Sequence, residues 1–239
     1  VRSRTTQRLA CVVRGRLRRL PHRPDVFDCT VHRRISAAIH PRNVGAFVCR
    51  CRLRRNTYPA AAALRAIPNF HVIRPADANE TAACWLEILK RNKPAGILLS
   101  RQNLPVLPLN SSGVSKGAYA VKAVANPKVS IIATGSEVSV AIKAAEKLEA
   151  DGISTQVVSA PCLEWLAEQD SVYRESLLPK SALKVSIEAG IAQGWREYVG
   201  DNGVIISLDH FGASASAGKL FEEFGFGPDA VVTKIKKAL

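Results

Sequence analysis

The residues best suited to chemistry are four polar side chains that follow one apolar run. Ile97, Leu98 and Leu99 predict a buried strand, and residues 100–103 bring a hydroxyl, a guanidinium and two amides to its carboxyl end. Open α/β sheets bind their ligands at this edge. The Arg101 guanidinium carries the forked donors that bind an oxyanion such as a sugar phosphate. On the residues alone, an ion pair that only caps the sheet edge explains Arg101 equally well.

Other polar residues also stand after predicted strands. Glu188 and His210 follow separate strands and would form an acid–base pair only if the fold brought them together. Gly135 and Ser136 form a strand-to-helix turn, with Ser136 as the predicted cap, and backbone N–H groups at such a turn can hold an anion. No GxGxxG or GxxxxGK[ST] pattern is present, so a capped turn without a ligand is favoured. His71 lies inside a predicted strand and is expected to be packed.

The elements that must position Arg101 form a predicted βαβ unit. Residues 70–73 indicate a strand, and Asp77 or Asn79 can cap a helix that continues to Arg91. Pro94 then precedes the strand that leads to Arg101. The two strands should therefore be parallel. The predicted core-facing side of the helix carries Ala83, Leu86 and Leu89.

A second region follows a predicted linker. Residues 105–116 are rich in Pro and Ser and predict a connection between domains. Residues 117–239 alternate strands with helices, which predicts a layered α/β domain with a mostly parallel sheet flanked by helices. Cys84 and Cys162 fall on predicted helices and are expected to be reduced, packed thiols.

Residues 1–57 carry nearly all of the net charge. They hold 15 Arg, no Lys and two acidic residues, which gives +13 of the formal +14 of the 239-residue chain. Their apolar residues follow no period of 2 or 3.6, because arginines interrupt each candidate element. Cys49 and Cys51 stand one residue apart, which is not the spacing of a zinc knuckle. We expect a disordered segment without a metal site.

Three hypotheses explain the Arg-rich segment. A basic arm that binds nucleic acid would account for the charge, and a transit peptide would account for Arg without acids. Natural basic arms normally mix Lys with Arg, and this segment has no Lys. Translation of a wrong reading frame in a G+C-rich gene explains the composition better. The frame hypothesis is therefore favoured, with the nucleic-acid arm second.

From about residue 62 onward, the sequence resembles the transketolase family. ILLSRQNLPVLP, preceded by RPADANETAACW, is similar to the end of the family's pyrimidine-binding domain. Five later motifs are similar to its C-terminal domain and keep its order: ATGSEV, VYRESLLP, VSIEAGIAQGW, LDHFGASA and LFEEFGF. The resemblance implies the end of a pyrimidine-binding domain at 58–104, a linker at 105–116 and a C-terminal domain at 117–239, preceded by the Arg-rich segment.

This resemblance implies transfer of a two-carbon ketol unit between sugar phosphates of the pentose phosphate pathway, with thiamine diphosphate and Mg²⁺. In the family the arginine of SRQNL contacts the substrate phosphate, and that role maps onto Arg101. The family's GDG motif, activating glutamate and histidine-bearing loop have no counterpart in this sequence. We therefore expect no catalytic, cofactor-binding or metal-binding residue here. Sugar-phosphate binding is expected to be weak, and ketol transfer by this chain alone is not expected.

The resemblance also implies partners, because active sites in the family form between two subunits of a homodimer. The chain is expected to associate with itself or with an intact transketolase subunit, in the cytoplasm. The sequence contains no run of about 18 apolar residues, so no membrane span is predicted. The alternative function is a non-catalytic interaction or regulatory module with a basic nucleic-acid-binding arm, although nucleic-acid binding is disfavoured. A β-type subunit of a 2-oxoacid dehydrogenase would share the domain order but lack the SRQNL and EEFGF motifs.

Overall fold

The structure is a computed structural model, which describes part of the chain, including nearly all residues from 111 to 239. The described residues are 27–28, 38–39, 46–51, 58–100, 102–107, 111–210, 213 and 215–239. Two units are distinguished below: the first unit, residues 58–107, and the second unit, residues 111–239. Arg101 lies outside the described residues. In the described part, no helix is long and apolar enough to cross a membrane.

The Arg-rich segment contributes three strands among its described residues. These are β1 (Phe27–Asp28), β2 (Ala38–Ile39) and β3 (Ala46–Cys51). β1 and β2 pair antiparallel with each other. The sequence predicted no regular element in residues 1–57. β3 departs from that prediction because its backbone forms hydrogen bonds with β5, a strand of the first unit. The other residues of this segment lie outside the described ones, so disorder and a wrong frame stay predictions.

The first unit contains the predicted βαβ arrangement. Its elements are α1 (Tyr58–Arg65), β4 (His71–Ile73), α2 (Ala78–Arg91) and β5 (Ala95–Ser100). β5 lies in the middle of a three-stranded sheet and is parallel to both β3 and β4. The predicted parallel pairing of the strands before and after α2 is therefore confirmed. Ser100 ends β5 at the sheet's carboxyl edge.

Helix α2 starts as predicted but faces the core with a different side. Asp77 is the N-cap, and its carboxylate accepts a hydrogen bond from the backbone N–H of Glu80. The predicted core position of Leu86 and Leu89 is wrong, because these side chains are 61% and 58% exposed. The buried stripe is instead Glu80, Cys84 and Ile88, which are spaced four residues apart. Glu80 can be buried in this stripe because side chains of the second unit donate hydrogen bonds to it. The sequence of the helix alone does not reveal these partners.

The second unit has the predicted layered α/β fold. Its five-stranded sheet has the order β10-β9-β7-β8-β6, and β6 alone in that sheet runs antiparallel to its neighbour. The strands are β6 (Tyr119–Lys122), β7 (Val129–Ala133), β8 (Thr155–Ser159), β9 (Leu183–Ile187) and β10 (Val204–Ile206). The helices are α3 (Glu137–Ala150), α4 (Leu163–Ala167), α5 (Ser171–Leu177), α6 (Arg196–Val199), α7 (Ala217–Glu223) and α8 (Pro228–Ala238), after a 3₁₀-helix at Ser111–Lys116.

The alternation of side chains along β7 builds two separate cores. Ile131 points into a core shared with α3 and α8, where Leu148 and Ile235 are fully buried. Ile132, the next residue, points to the opposite face and packs with Leu166 and other side chains of α4, α5 and α6. Helices therefore cover both faces of the sheet, and its central strands are buried on both sides.

A third core joins the two units. Ile73, Cys84 and Ile97 of the first unit pack against Cys162 and Trp165 of the second. Both thiols are free and buried, as predicted, and burial raises the pKa of each well above its usual value. The first unit is therefore fixed against the second by apolar packing as well as by the polar contacts described below.

Candidate functional site

The described residues around position 101 are Ser100, at the end of β5, and the segment 102–107. Ser100 is the last residue of β5, and the described chain resumes at Gln102. Leu107 donates its backbone N–H to Asp77 Oδ2 at 2.9 Å. The predicted strand before position 101 is confirmed as β5, which is the central strand of a parallel sheet and includes Ser100. The phosphate-binding role of Arg101 itself stays a prediction.

A buried charge cluster lies where strand ends of the two units meet. Arg74 follows β4, and its Nη1 donates to Thr134 Oγ1 at 2.7 Å and to Glu188 Oε1 at 2.9 Å. Its Nη2 forms an ion pair with Glu137 Oε2 at 2.9 Å. Thr134 follows β7 and Glu188 follows β9. The cluster therefore occupies the carboxyl edge at which α/β sheets bind ligands.

Glu188 is the acceptor at the centre of this cluster and is 1% exposed. Arg65, at the end of α1, donates from Nη1 to Oε2 at 2.9 Å and from Nη2 to Oε1 at 3.1 Å. Trp195 Nε1 donates to Oε2 at 2.9 Å. Two guanidinium groups from the first unit thus bind one carboxylate of the second, so Glu188 contributes to the contact between the two units.

The charge state of Glu188 follows from these contacts. Burial by itself would raise the pKa of this carboxyl, but the Arg65 and Arg74 charges and their hydrogen bonds outweigh burial and lower the pKa to about 2. Glu188 is therefore ionised over the whole neutral range. A permanent anion held by two cations is suited to joining the units and unsuited to accepting a proton in catalysis at neutral pH.

Acid should weaken the fold through Glu188. The folded-state pKa lies below the ordinary value of 4.5, so the stability that this carboxylate contributes is present above about pH 4.5 and is lost as the pH falls towards 2. Urea unfolding measured at a series of pH values from about 6 to 3 should show a falling free energy of unfolding. Glu188→Gln should show a shallower fall over that range. Equal slopes for the two proteins would contradict the assignment.

The Gly135–Ser136 turn is filled by the chain's own Arg74. Gly135 has φ +57°, and a Cβ at this position would lie 3.2 Å from Arg74 Nη2. The Gly135 backbone N–H donates to the Arg74 carbonyl at 2.9 Å. Ser136 is the N-cap of α3, as predicted, but its backbone is helical (φ −59°, ψ −23°) and its side chain makes no cap hydrogen bond; its hydroxyl donates to Glu137 Oε1 at 2.6 Å.

A second buried carboxyl contacts both units, and among the described residues its partners are neutral hydrogen-bond donors. Glu80 is 0% exposed and accepts hydrogen bonds from Tyr119 Oη and Ser159 Oγ, each at 2.7 Å, and from the backbone N–H of Ala76. Burial raises the pKa of Glu80, and these hydrogen bonds only partly oppose that rise. Tyr119 and Ser159 belong to the second unit, so this network adds a polar contact to the joint core.

The two histidines considered above have structural surroundings. His71 is 5% exposed, and its Nδ1 accepts a hydrogen bond from Trp165 Nε1 at 2.9 Å, which confirms that it is packed. Burial lowers the pKa of His71. His210 is exposed, and its ring contacts Phe224 with 4.8 Å between centroids. Among the described residues, no group of three or more His, Cys, Asp or Glu side chains could hold a metal ion.

The two arginines of the buried cluster were not predicted from the sequence. Arg74 is the first residue after β4, the same position relative to its strand that Arg101 has after β5. The positional rule that singled out Arg101 could therefore have singled out Arg74. Arg65 gave no comparable signal, because it stands at the end of a helix, where basic residues are common.

Comparison with known proteins decides the family. Residues 58–106 match the family model for the transketolase pyrimidine-binding domain, and residues 117–227 match the model for the transketolase-like C-terminal domain. Together these matches cover more than half of the chain. It belongs to the transketolase family. The resemblance read from the motifs is confirmed, and so is the mixed α/β fold.

Individual transketolases support the same conclusion. The transketolase of Mycobacterium leprae is 49% identical over 189 residues, an alignment that covers 74% of this chain and 27% of the relative. The solved transketolase of Leishmania mexicana matches with a TM-score of 0.75 and 35% identity, over 82% of this chain and 30% of that one. This transketolase-family chain thus spans about a quarter of the length of the curated relatives that it matches.

One structural neighbour covers a larger share of its own chain. It is described as a split-gene transketolase, an inactive β4 tetramer, and matches with a TM-score of 0.72 over 83% of this chain and 68% of that one. At 23% identity, this match shows a common fold.

Proposed function

We propose that these residues are the C-terminal part of a transketolase that transfers a two-carbon ketol unit between sugar phosphates. The observation that supports this most is the pair of family matches in consecutive order, at 58–106 and 117–227. In the proposed organisation, 58–104 is the end of the pyrimidine-binding domain, 105–116 a linker and 117–239 the C-terminal domain. Outside the strands β1, β2 and β3, residues 1–57 are proposed to be disordered or out of frame, and reading the other two frames of the DNA would test the frame.

Arg101 is the proposed contact for the substrate phosphate. It stands between Ser100, which ends β5, and the anchored residues that lead to Leu107. A guanidinium at this edge binds two phosphate oxygens at once and thereby orients the sugar. The chain's own contribution to the reaction is this binding and orientation.

The described residues do not fit the thiamine diphosphate and Mg²⁺ used by the family. They contain no cluster that could hold a metal ion, and the anion-type turn at Gly135 is filled by Arg74. When bound elsewhere in the enzyme, thiamine diphosphate supplies the electron sink for the ketol unit. These 239 residues on their own are accordingly proposed to be inactive.

A partner would supply the cofactor site. The proposed partners are a second copy of this chain or an intact transketolase subunit, in a homodimer-like arrangement in the cytoplasm. The split-gene transketolase of similar fold supports the idea that such a unit can exist as a separate polypeptide. Co-purification with an intact transketolase would identify this association.

Two readouts test the proposed function. With thiamine diphosphate and Mg²⁺, the purified chain should transfer no ketol unit from xylulose 5-phosphate to ribose 5-phosphate, while an intact transketolase in the same assay should. The chain should still bind ribose 5-phosphate, and Arg101→Ala should weaken that binding about 10- to 100-fold, because charge-assisted hydrogen bonds are lost. Ketol transfer by the chain alone would overturn the proposed inactivity. Equal binding by the two proteins would overturn the role of Arg101.

A further inference from the structure

We propose that His71 is an acid-sensitive contact between the two units, which holds them together at neutral pH and is released as the pH falls. His71 belongs to β4 of the first unit and is 5% exposed. Its Nδ1 accepts a hydrogen bond at 2.9 Å from Nε1 of Trp165, which lies in α4 of the second unit. This role is independent of sugar-phosphate binding, because it uses only the contact between the units.

The hydrogen bond to His71 requires a neutral imidazole. The indole N–H of Trp165 is a donor only, so Nδ1 of His71 must be unprotonated to accept from it. The single proton of the neutral ring is therefore on Nε2. Uptake of a second proton places an N–H on Nδ1, directly opposite the indole N–H. Two donors then face each other, and the hydrogen bond between the units is lost.

The indole of Trp165 is enclosed where it meets His71. Trp165 is 0% exposed and packs with Ile73 and Cys84 in the core that joins the units. The two aromatic rings meet edge to face, with 5.9 Å between their centroids. The Arg91 guanidinium lies over the indole, 4.6 Å from the ring centroid. Relief of the contact between two donors therefore requires the two units to separate locally.

The charges near His71 do not compensate a proton on its ring. Glu168, the C-cap of α4, is engaged through both carboxylate oxygens, by Arg91 Nη1 at 2.5 Å and by Lys93 Nζ at 3.6 Å. Burial and the Lys93 charge lower the pKa of His71, and the attraction of Glu168 does not offset them. The folded chain therefore favours the neutral ring.

The other elements packed against β4 have titratable groups with partners of their own. Glu164 of α4 accepts from the Val72 backbone N–H at 3.2 Å and from the Cys162 thiol at 3.2 Å. Arg65 of α1 binds Glu188. Ala95–Ser100, which form β5, include no titratable side chain. His71 is thus the group at this contact whose ordinary pKa of 6.5 lies close to neutrality.

The pH range of the effect follows from the sign of the shift. The folded-state pKa of His71 lies below the ordinary value of 6.5, so the stability of the contact is present above about pH 6.5 and is lost as the pH falls below it. Glu188 loses its contribution only below about pH 4.5. Burial raises the pKa of Glu80, so acid acts through that carboxyl with the opposite sign. Comparison of variants that all keep Glu80 and Glu188 removes both contributions.

His71→Asn removes the titration and keeps an acceptor. The amide oxygen of Asn can accept from the indole N–H, and the amide takes up no proton near neutral pH. The matched control is His210→Asn, which makes the same change at an exposed histidine whose ring contacts Phe224 within the second unit. The control and the unmodified chain should respond alike to acid.

The experiment measures hydrogen exchange on the full chain at two amides whose acceptors lie across the joint. The Val72 N–H donates to Glu164 Oε2 at 3.2 Å, and the Arg74 N–H donates to the Pro161 carbonyl at 2.8 Å. Protection factors correct for the intrinsic effect of pH on exchange. Between about pH 7.5 and about pH 5.5 they should fall several-fold and at most about tenfold, because the lower pH is about one unit below the ordinary pKa of histidine. The fall should be absent in His71→Asn and present in His210→Asn.

An NMR titration of the unmodified chain gives a second readout that needs no variant to fold. The ring resonances of His71 should titrate with a midpoint below pH 6.5, and the signal of the Trp165 indole N–H should change over the same range. A midpoint at 6.5 or above would overturn the proposal. Protection factors that respond equally in the unmodified chain and in His71→Asn would also overturn it.

Discussion

Replacing Glu188 by Ala is expected to lower the free energy of unfolding by about 3 kcal/mol, because it removes the buried carboxylate that Arg65 and Arg74 both bind, although the ion pair of Arg74 with Glu137 remains. Arg65 and Arg74 come from the first unit. The shortest hydrogen bond from each guanidinium to the Glu188 carboxylate is 2.9 Å long. Trp195 Nε1 loses its acceptor as well. Glu188 is 1% exposed, and charged groups that lose their partner at a buried position are costly.

Urea unfolding at neutral pH would measure this loss. Glu175→Gln is the matched control, because Glu175 also forms an ion pair, with Lys180 at 2.8 Å, but at an exposed position. That variant should unfold like the unmodified chain. A loss in Glu188→Ala as small as in the control would show that Arg65 and Arg74 find other partners. The cluster would then not hold the two units together.

Gly117→Ala is expected to destabilise the chain by about 3 kcal/mol or more, since strain in the left-handed region adds to a collision with the backbone. Gly117 has φ +85°, and a Cβ there would lie 2.3 Å from Leu166 N and 2.4 Å from Cys162 O. The Gly117 carbonyl also accepts from the Cys162 N–H at 3.0 Å. The residue cannot move away without displacing α4, which carries Trp165 into the joint core.

Gly152→Ala is the control that separates the cost of the left-handed backbone conformation from the cost of the steric collision at Gly117. Gly152 has a similar φ of +77°, but a Cβ there would have no atom within 4 Å. This variant should lose only about 1 kcal/mol, the cost of the unfavourable backbone conformation. Thermal or urea unfolding of both variants would give the difference. Equal losses would mean that the close approach of α4 to Gly117 has no energetic weight.

Some elements could be predicted because their causes are local. The βαβ unit follows from two short apolar runs on either side of a capped helix, and Asp77 caps α2 as its position before the helix predicts. The order of strands and helices in the second unit was likewise readable from alternation and turn residues. The site residue Arg101 came from its place after an apolar run together with the SRQNL motif.

Other features depended on residues far apart in the chain. Leu86 and Leu89 have the same apolar character as core residues, yet the buried stripe of α2 includes Glu80 because Tyr119 and Ser159 meet it from the second unit. A carboxylate is costly to bury unless such donors are supplied. Local periodicity cannot contain that information.

The sequence by itself determined the order of elements, the cap of α2 and the family, since caps, periods and motifs involve neighbouring residues. Only the tertiary structure decided which charges are buried and what they bind. Glu188 is paired with Arg65 and Arg74, which are 123 and 114 positions away in the chain. Their attraction outweighs the cost of removing a carboxylate from water only when the fold brings all three together.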